Sequence, residues 1–344
     1  MANLIIQEDV EKIIEQLNVE KCRDKTFLIS GATSAIACYF VYTLLELNKK
    51  YADMQCRVLA LCRNRKKAEK LFREYKESNL FFLIQNVEEE ITYEGKIDYI
   101  IHAASNSTTR LFYSNPVETS HANLVGTINL LELARKKKVE GFLFFSSGAV
   151  YGDDSQAVSD VCEDEYYAID PLDIGNCYAM SKKMAENLCV SYYSEFGVPA
   201  KIVRIAHTYG PGIDLEDGHV YSDFVKAILN NKDIVIRGSG MQKRAFCYIT
   251  DAMRAFFLIL FSGQNGEAYN MVNNSQFISI KDLAERLFYG MNIKKSILVN
   301  GSGEEDCSDQ VSISSEKLEK LGWKPCVDVV EGFSRTVESK RILK

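Results

Sequence analysis

A tyrosine and a lysine that are four residues apart are the side chains of this sequence whose types and spacing point most directly to chemistry. Tyr178 and Lys182 fall on one face of a helical pattern, one turn apart. Ser147 ends the apolar run 142–147, which is typical of a buried strand that delivers its last residues to the carboxyl edge of a sheet. Alone, each feature equally fits a structural role, such as a solvated lysine or a serine that caps a turn. Together, a phenol, an ammonium and a hydroxyl indicate proton transfer coupled to hydride transfer.

The elements that must position these side chains alternate along the chain from residue 26. Short β-branched or aromatic runs predict strands over 26–30, 57–62, 80–85, 98–103, 142–147 and 200–205. Helical patterns lie between them, at 36–47, 66–77, 116–138 and 180–196. This alternation predicts an α/β fold with a doubly wound parallel sheet. After residue 207, a Gly-Pro-Gly break at 210–212, a helix over 221–230 and shorter mixed elements predict a smaller C-terminal α/β lobe.

The composition excludes several classes of function. The 344 residues are 47% apolar, enough for a large core, and the net charge of −6 argues against binding nucleic acid or an anionic membrane. The 10 cysteines are scattered without a Cys-x-x-Cys pair and predict reduced thiols in a cytoplasmic protein. The 4 histidines are widely separated, so no metal site is expected.

The first 24 residues predict an amphipathic helix that docks on the rest of the chain. Apolar side chains recur there at helical spacing, at Leu4, Ile6, Val10, Ile13, Ile14 and Leu17. The segment is acidic early and lacks the continuous apolar stretch of a secretory signal. No apolar run in the sequence approaches the roughly 20 residues that span a bilayer, so no membrane association is expected.

A tight strand-to-helix turn follows the first predicted strand, with the sequence Gly-Ala-Thr-Ser-Ala-Ile-Ala at 31–37. Backbone amides and the positive end of a helix at such a turn can hold the pyrophosphate of a dinucleotide. Gly31 keeps the first glycine of the dinucleotide pattern, whereas Ser34 and Ala37 replace the other two. Ala37 still permits close packing, the Ser34 hydroxyl could donate to phosphate, and an ordinary β-turn-α is the alternative. The positions expected beside the cofactor are Gly31, Thr33, Ser34, Ala35 and Ile36.

Positive charges follow the second predicted strand. Where a dinucleotide fold often has an acidic residue for the adenosine ribose, this chain has Arg63, with Arg65 two positions further on. An arginine there can pair with a 2′-phosphate, which favours NADP(H) over NAD(H), although the run also fits the solvated start of a helix. Further cofactor contacts are expected after the third and fourth strands, at Asn86, Val87, Ala103 and Ala104.

Taken in order, these motifs resemble the extended short-chain dehydrogenases/reductases of the NAD(P)-dependent nucleotide-sugar epimerase/dehydratase family. The resemblance covers nearly the whole chain and rests on 31–37, 102–104, 123–127, 146–152, Tyr178 with Lys182, 204–211 and 244–251. It implies a Rossmann-like NAD(P)-binding domain, here 25–206 after the helix at 1–24. A mainly substrate-binding lobe at 207–344, which could return elements to the first domain, is implied as well. The family also implies a homodimer built on two helices, here near 116–138 and 177–196.

The resemblance assigns roles by position. Tyr178 is similar to the family's catalytic acid/base, Ser147 to the serine that hydrogen-bonds the reacting oxygen, and Lys182 to the residue that binds the nicotinamide ribose. A neighbouring ammonium favours the phenolate of a tyrosine, whose ordinary pKa is about 10. The remaining assigned positions are Asn123 for the cofactor and Ser105, Ser147, His207 and Arg244 for the nucleotide-sugar substrate.

Departures from the family's pattern bear on the reaction. Gly148 and Ala149 stand where dehydratases of the family have an acidic pair and decarboxylases have a glutamate, so water elimination and decarboxylation are not expected. His207 replaces an asparagine and either binds substrate or packs. The segment 304–307, Glu-Glu-Asp-Cys, stands near the position where a second phosphate-binding arginine is expected.

The sequence therefore predicts hydride transfer at a sugar carbon, C4, of a nucleotide sugar, with Tyr178 as the acid/base. An epimerase that keeps its cofactor and a 4-keto-sugar reductase that releases NADP both use this step, and the sequence leaves the two open. A cofactor-binding sensor or scaffold without turnover is the alternative from another class. The presence of Ser147, Tyr178 and Lys182 together argues against it.

Overall fold

A parallel sheet of seven strands forms the centre of the protein in a computed structural model, which describes residues 3–75, 79–106, 108–152, 160–301 and 312–342. The strands in chain order are β1 (Thr26–Ser30), β2 (Arg57–Cys62), β3 (Leu80–Ile84), β4 (Tyr99–His102), β5 (Gly141–Ser147), β6 (Ala200–Ile205), β7 (His207–Tyr209), β8 (Ile234–Arg237), β9 (Lys243–Tyr248), β10 (Ala268–Met271), β11 (Phe277–Ser279) and β12 (Ile297–Asn300). The central sheet has the order β3-β2-β1-β4-β5-β6-β10. All of its neighbouring strands are parallel.

Helices connect and cover these strands. In chain order they are α1 (Leu4–Glu15), α2 (Ala37–Lys50), α3 (Arg65–Leu71), α4 (Thr109–Ser114), α5 (Pro116–Lys137), α6 (Cys177–Phe196), α7 (Val220–Leu229), α8 (Ile249–Ser262), α9 (Ile280–Gly290), α10 (Glu316–Lys320) and α11 (Val329–Ile342). None of the helices in the described part of the chain combines the length and apolarity that a membrane crossing would require.

Both faces of the central sheet are buried, which explains why its strands read as continuous apolar runs. Alternate residues of β1 point to opposite sides: Phe27 and Ile29 belong to the core that includes α2 and α8, and Leu28 belongs to the core that includes α5 and α6. The strand order reverses between β1 and β4. In an open α/β sheet, the crevice at the carboxyl ends of such a pair is where ligands bind.

The C-terminal part of the chain builds two small sheets and also returns to the large one. Strands β11, β9 and β7 form one of the small sheets, and β12 pairs with β8 in the other. Strand β10 lies beside β6 at the edge of the central sheet, with Ala268 opposite Ile202. The C-terminal part of the chain thus contributes a strand to the central sheet, and the division into domains at residue 206 stays a prediction.

The N-terminal helix α1 is held by a buried carboxylate. The Asp9 Oδ1 atom lies 2.8 Å from Arg335 Nη2 on α11. The hydroxyl groups of Tyr248 and Tyr39 donate to Asp9 Oδ2 at 2.7 and 3.2 Å. Burial raises the pKa of Asp9, and the Arg335 charge opposes that rise. One side chain therefore ties the start of the chain to its end and to α2.

The predicted α/β fold with a doubly wound parallel sheet is confirmed, and the element limits differ locally. The helix predicted over 66–77 is shorter, because α3 ends at Leu71 and a 3-10 turn follows over Arg73–Tyr75; position 77 lies outside the described residues. The helix predicted from 180 begins at Cys177, because a 3-10 turn over Ile174–Asn176 runs directly into it. Tyr178 therefore lies inside the helix with Lys182.

Candidate active site

Tyr178 and Ser147 meet at the carboxyl end of β5. Ser147 is the last residue of that strand, and α6 packs against the strand, so that its first turn brings Tyr178 to the strand's end. Burial raises the pKa of Tyr178, whereas a hydrogen bond with Ser147 lowers it. The Ser147 Oγ atom also accepts from the Ala149 N–H at 3.2 Å, which leaves its hydrogen for the phenol oxygen. Ser147 therefore opposes part of the effect of burial on the phenol.

Lys182 lies one turn further along α6 and is buried. Its Nζ atom donates to the Phe145 carbonyl oxygen at 2.6 Å and lies 5.9 Å from the Tyr178 ring centroid. Burial lowers the pKa of Lys182 to about 7, and the carboxylate of Glu186 offsets part of that effect. The amine is therefore held within reach of the phenol in a place where its charge is poorly solvated.

A buried ion pair supports the same helix from the neighbouring strand. Arg204 on β6 donates to both carboxylate oxygens of Glu186 on α6, with Nη2 2.8 Å from Oε2. Ser146 Oγ also donates to Glu186. Arg204 Nη1 donates to the Tyr151 hydroxyl at 2.9 Å, which donates in turn to Asn270 on β10 at 2.7 Å. The network fixes α6 relative to β5, β6 and β10.

A histidine on β4 holds the two strands at the switch point together. The Ser30 Oγ atom accepts from the N–H groups of Ala103 and Ala104, both at 3.1 Å, so its own hydrogen points to His102 Nδ1, 2.9 Å away. His102 Nε2 then carries the ring proton and donates to Thr127 Oγ1 at 3.0 Å. Burial lowers the pKa of His102 to about 3, so the ring is neutral. His102 therefore supports the loop that begins at Ala103 and stays neutral near neutral pH.

Asn123 on α5 connects that loop to α6. Its Oδ1 accepts from Ser105 Oγ at 2.7 Å, and its Nδ2 donates to Ser181 Oγ at 2.9 Å. Ser181 Oγ donates to the Tyr178 carbonyl oxygen at 2.9 Å. The two residues predicted to contact cofactor and substrate, Asn123 and Ser105, are therefore linked to the backbone of Tyr178 through Ser181.

The turn after β1 has the geometry that a phosphate group needs. Gly31 has φ +64°, and a Cβ atom there would lie 2.9 Å from the Ala104 Cα, so only glycine fits without backbone movement. The backbone N–H groups of Thr33, Ala35 and Ile36 find no acceptor among the described residues. These residues immediately precede the start of α2, where a helix favours negative charge. The Ser34 Oγ atom accepts from the Ala37 N–H at 3.3 Å and keeps its own hydrogen to donate. The residues of the turn thus fit a dinucleotide pyrophosphate.

The residues predicted around the adenosine are more exposed. The Arg63 side chain is 65% exposed, and its Nη1 lies 3.2 Å from Glu118 Oε1 on α5. Asn86 is exposed, whereas Val87 is buried beneath Gly126, where a Cβ would lie 2.8 Å from Val87 Cγ1. Arg63 is therefore at the end of β2 as predicted, and it already has an anionic partner.

His207 and Arg244 lie on adjacent strands of the small sheet. His207 pairs with Phe246 across β7 and β9, and their ring centroids are 6.0 Å apart. Burial, reinforced by the charges of Arg244 and His219, lowers the pKa of His207 to about 3, so the imidazole is neutral. Because Ile205 is opposite Ser147 in the central sheet, His207 follows the strand next to the tyrosine site.

The loop after Ser147 carries no acidic side chain at its first two positions. Gly148 and Ala149 begin a 3-10 turn, and a Cβ atom at Gly148 would lie 3.1 Å from Ile313 Cδ1. The acidic segment 304–307 lies outside the described residues. Among the described residues, no three histidine, cysteine or acidic side chains are grouped to hold a metal ion.

Comparison with known proteins agrees with this fold. The NAD dependent epimerase/dehydratase family model matches residues 27–273. A UDP-glucuronic acid decarboxylase of Arabidopsis thaliana is 30% identical over 72% of this chain and 71% of its own length. The dTDP-D-glucose 4,6-dehydratase of Mus musculus is 30% identical over 91% of this chain and 88% of its own. A crystal structure of UDP-glucose 4-epimerase with UDP-glucose from Thermotoga maritima superposes with a TM-score of 0.78, at 24% identity over 92% of this chain and 98% of its own.

A Rossmann-like fold with a phosphate turn and a Ser-Tyr-Lys cluster defines an extended short-chain dehydrogenase/reductase. The chain belongs to the NAD-dependent epimerase/dehydratase family, whose members process nucleotide sugars. The sequence resemblance stated above is confirmed at this level.

Several residues of the site carry no recognisable signal in the sequence. Ser30 contacts His102 from a distant part of the chain, and Phe112 stacks on Tyr178 from the short helix α4. Only Glu186 could have been found, because it lies four residues after Lys182 on the same helix face.

Proposed function

We propose that this protein is an NAD(P)-dependent enzyme that transfers hydride at a carbinol or ketone carbon of a nucleotide sugar, at C4, with Tyr178 as the acid/base. The convergence of Tyr178 and Ser147 at the carboxyl end of β5, with Lys182 Nζ 5.9 Å from the phenol ring, is the observation that carries this proposal. The cluster lies at the carboxyl ends of the parallel strands, beside the turn whose free amides suit a pyrophosphate.

Each side chain has a distinct task in this reaction. Bound NAD(P) supplies the hydride acceptor or donor. Tyr178 takes the proton of the sugar hydroxyl during oxidation and returns it during reduction. Ser147 donates a hydrogen bond that orients the reacting oxygen and favours the phenolate. Lys182, as an ammonium, stabilises the phenolate by charge and binds the nicotinamide ribose, as the family resemblance implies.

The loop after Ser147 favours simple redox chemistry, with or without inversion. Gly148 and Ala149 can neither donate nor accept a proton through a side chain, and Ile313 occupies the space above Gly148. An epimerase returns the hydride to the other face of the same sugar, whereas a reductase releases oxidised cofactor. Arg63 pairs with Glu118, and a 2′-phosphate would replace Glu118 as its anionic partner. Arg63 therefore favours NADP(H) as the cofactor, and NADP(H) favours the reductase.

A second candidate is water elimination or decarboxylation after the same oxidation. The names of the two sequence relatives favour it, since one is a 4,6-dehydratase and the other a decarboxylase. This reaction needs an acid or base that the 148–149 loop does not provide. Another side chain would have to supply it.

A homodimer is part of the proposal. Helices α5 and α6 pack together, and apolar side chains remain exposed on them, at Val117, Ile128, Met180, Met184 and Val190. A second copy would cover this face. We also propose a cytoplasmic location, with which the unpaired thiols of the described cysteines agree.

The test is incubation of the purified protein with UDP-glucose, UDP-N-acetylglucosamine, UDP-glucuronate, dTDP-glucose and 4-keto-6-deoxy derivatives, with and without NADPH. Stoichiometric loss of NADPH identifies a reductase, and isomer formation without net cofactor change identifies an epimerase. A 4-keto-6-deoxy product or a pentose product from the plain substrates contradicts the redox-only proposal and supports the second candidate. No turnover of any substrate contradicts both.

A further inference from the structure

The phenol ring of Tyr178 lies flat against a second aromatic ring. Phe112, on the short helix α4, stacks on it with ring centroids 4.7 Å apart and an angle of 9° between the planes. Offset stacking of this kind is a favourable arrangement of two aromatic rings. Neither the phosphate turn after β1 nor the cluster of Ser147, Tyr178 and Lys182 requires a phenylalanine at position 112.

Helix α4 is fixed to the segment that leads into α6 by two further contacts. The Cys177 thiol, one residue before Tyr178, donates to the Phe112 carbonyl oxygen at 3.5 Å. The Tyr113 hydroxyl fills the space that a side chain at Gly175 would occupy. Asn115 ends α4 and immediately precedes α5, so α4 has little freedom to move away. The Phe112 ring is therefore carried by backbone that is coupled to the start of α6.

A stacked ring limits what the phenol can do. Rotation of Tyr178 about its side-chain torsions would break the coplanar contact with Phe112 and would move the hydroxyl from its place at the end of β5. Phe112 also keeps water from one face of the phenol, and burial is the main cause of the raised pKa of Tyr178. The hydroxyl edge and the other face remain for cofactor and sugar.

We propose that Phe112 is a positioning residue, whose ring holds the Tyr178 phenol in place at the carboxyl end of β5 and thereby sets the rate of proton transfer. This inference rests on the acid/base role proposed for Tyr178. A displacement of about 1 Å at a reacting group can lower a rate by about 10²-fold. Loss of the stack therefore lowers kcat with little effect on KM, because Phe112 acts through Tyr178.

The experiment compares Phe112→Leu, Phe112→Tyr and the control Phe261→Leu. Phe261 is a half-buried phenylalanine whose ring lies 5.4 Å from Tyr99, at the amino end of β4 and away from the site. Kinetics use the nucleotide sugars of the panel above with NAD⁺ and NADPH, and crystal structures of all variants are determined with NAD⁺. We expect a fall in kcat of about 10-fold or more in Phe112→Leu, with KM changed less than about threefold. Phe112→Tyr restores kcat, and Phe261→Leu keeps it.

The crystal structures make the inference independent of substrate. In Phe112→Leu, the Tyr178 ring should be rotated or should occupy two positions, and in Phe112→Tyr it should return to its wild-type position. A Tyr178 ring that keeps its wild-type position in Phe112→Leu overturns the inference, as does an equal loss of kcat in Phe261→Leu. If the wild-type protein turns over no nucleotide sugar while Tyr178 moves in Phe112→Leu, the proposed function fails and the positioning role stands.

Discussion

Replacing Lys182 by methionine should stabilise the protein while it removes activity. The Lys182 side chain is 2% exposed, and burial lowers its pKa from an ordinary value of 10.5 to about 7. Between these values the unfolded chain binds more protons at this amine than the folded protein does. Relative to a chain without this amine, the free energy of unfolding of the wild type therefore rises with pH between pH 7 and pH 10.5. Below pH 7 the amine lowers the stability of the folded protein by its full amount.

The magnitude follows from the same pKa difference. At about 1.36 kcal/mol per pKa unit, the cost at pH 7 is about 4 kcal/mol, and it falls to about 2 kcal/mol at pH 9. The hydrogen bond to the Phe145 carbonyl offsets about 1 kcal/mol of the gain, independently of pH. We expect Lys182→Met to be more stable than wild type by about 2–3 kcal/mol at pH 7, and the advantage to shrink by about 2 kcal/mol at pH 9.

The assay is urea unfolding of wild type and Lys182→Met at pH 7, 8 and 9, with activity measured in parallel. Lys183→Met is the control, because Lys183 is the next residue of the same helix and is half-exposed. A Lys182→Met variant that is less stable than wild type at pH 7, or whose advantage grows with pH, would refute the reasoning.

Three more predictions concern cofactor choice, the glycine turn and assembly. Alanine at both Arg63 and Arg65 should weaken NADP⁺ more than NAD⁺ in calorimetry, since charge-assisted bonds contribute about 1.5–3 kcal/mol each; an equal loss, or a wild-type preference for NAD⁺, contradicts it. Gly31→Ala should lower both stability in urea and affinity for NAD⁺, because φ is +64° and the left-handed conformation costs other residues about 1–2 kcal/mol; unchanged stability and binding would count against the turn. Met184→Glu places a charge on a side chain that is 48% exposed on α6, and should convert a dimer into a monomer by light scattering. A monomeric wild type, or a dimeric variant, contradicts the proposed interface.

The sheet could be predicted from the sequence because its strands are buried on both faces. The runs at 26–30, 57–62 and 200–205 coincide with β1, β2 and β6 residue for residue. Helix limits were harder to predict, because caps and 3-10 turns decide them. Asn64 caps α3 through the Lys67 N–H, and no comparable sequence signal marks the end at Leu71.

The site was predictable where it follows from local geometry. A strand end fixes Ser147, and helical spacing fixes Tyr178 relative to Lys182. Contacts between distant segments were not predictable, such as Phe112 on Tyr178 and Glu118 beside Arg63. These contacts change how the predicted residues behave, since one orients the phenol and the other partly neutralises the arginine.

The most direct test of Tyr178 as the acid/base is the turnover of Tyr178→Phe on the nucleotide sugar that the wild type converts, measured together with calorimetric binding of the cofactor. Phenylalanine keeps the ring that stacks on Phe112 and removes only the hydroxyl. We expect kcat to fall by about 10²-fold or more, which is the range for the loss of a general acid/base. The affinity for NAD(P) should change by less than about threefold, which corresponds to less than about 1 kcal/mol of binding free energy. Wild-type turnover in Tyr178→Phe would contradict the acid/base role and, with it, the proposed reaction at this site.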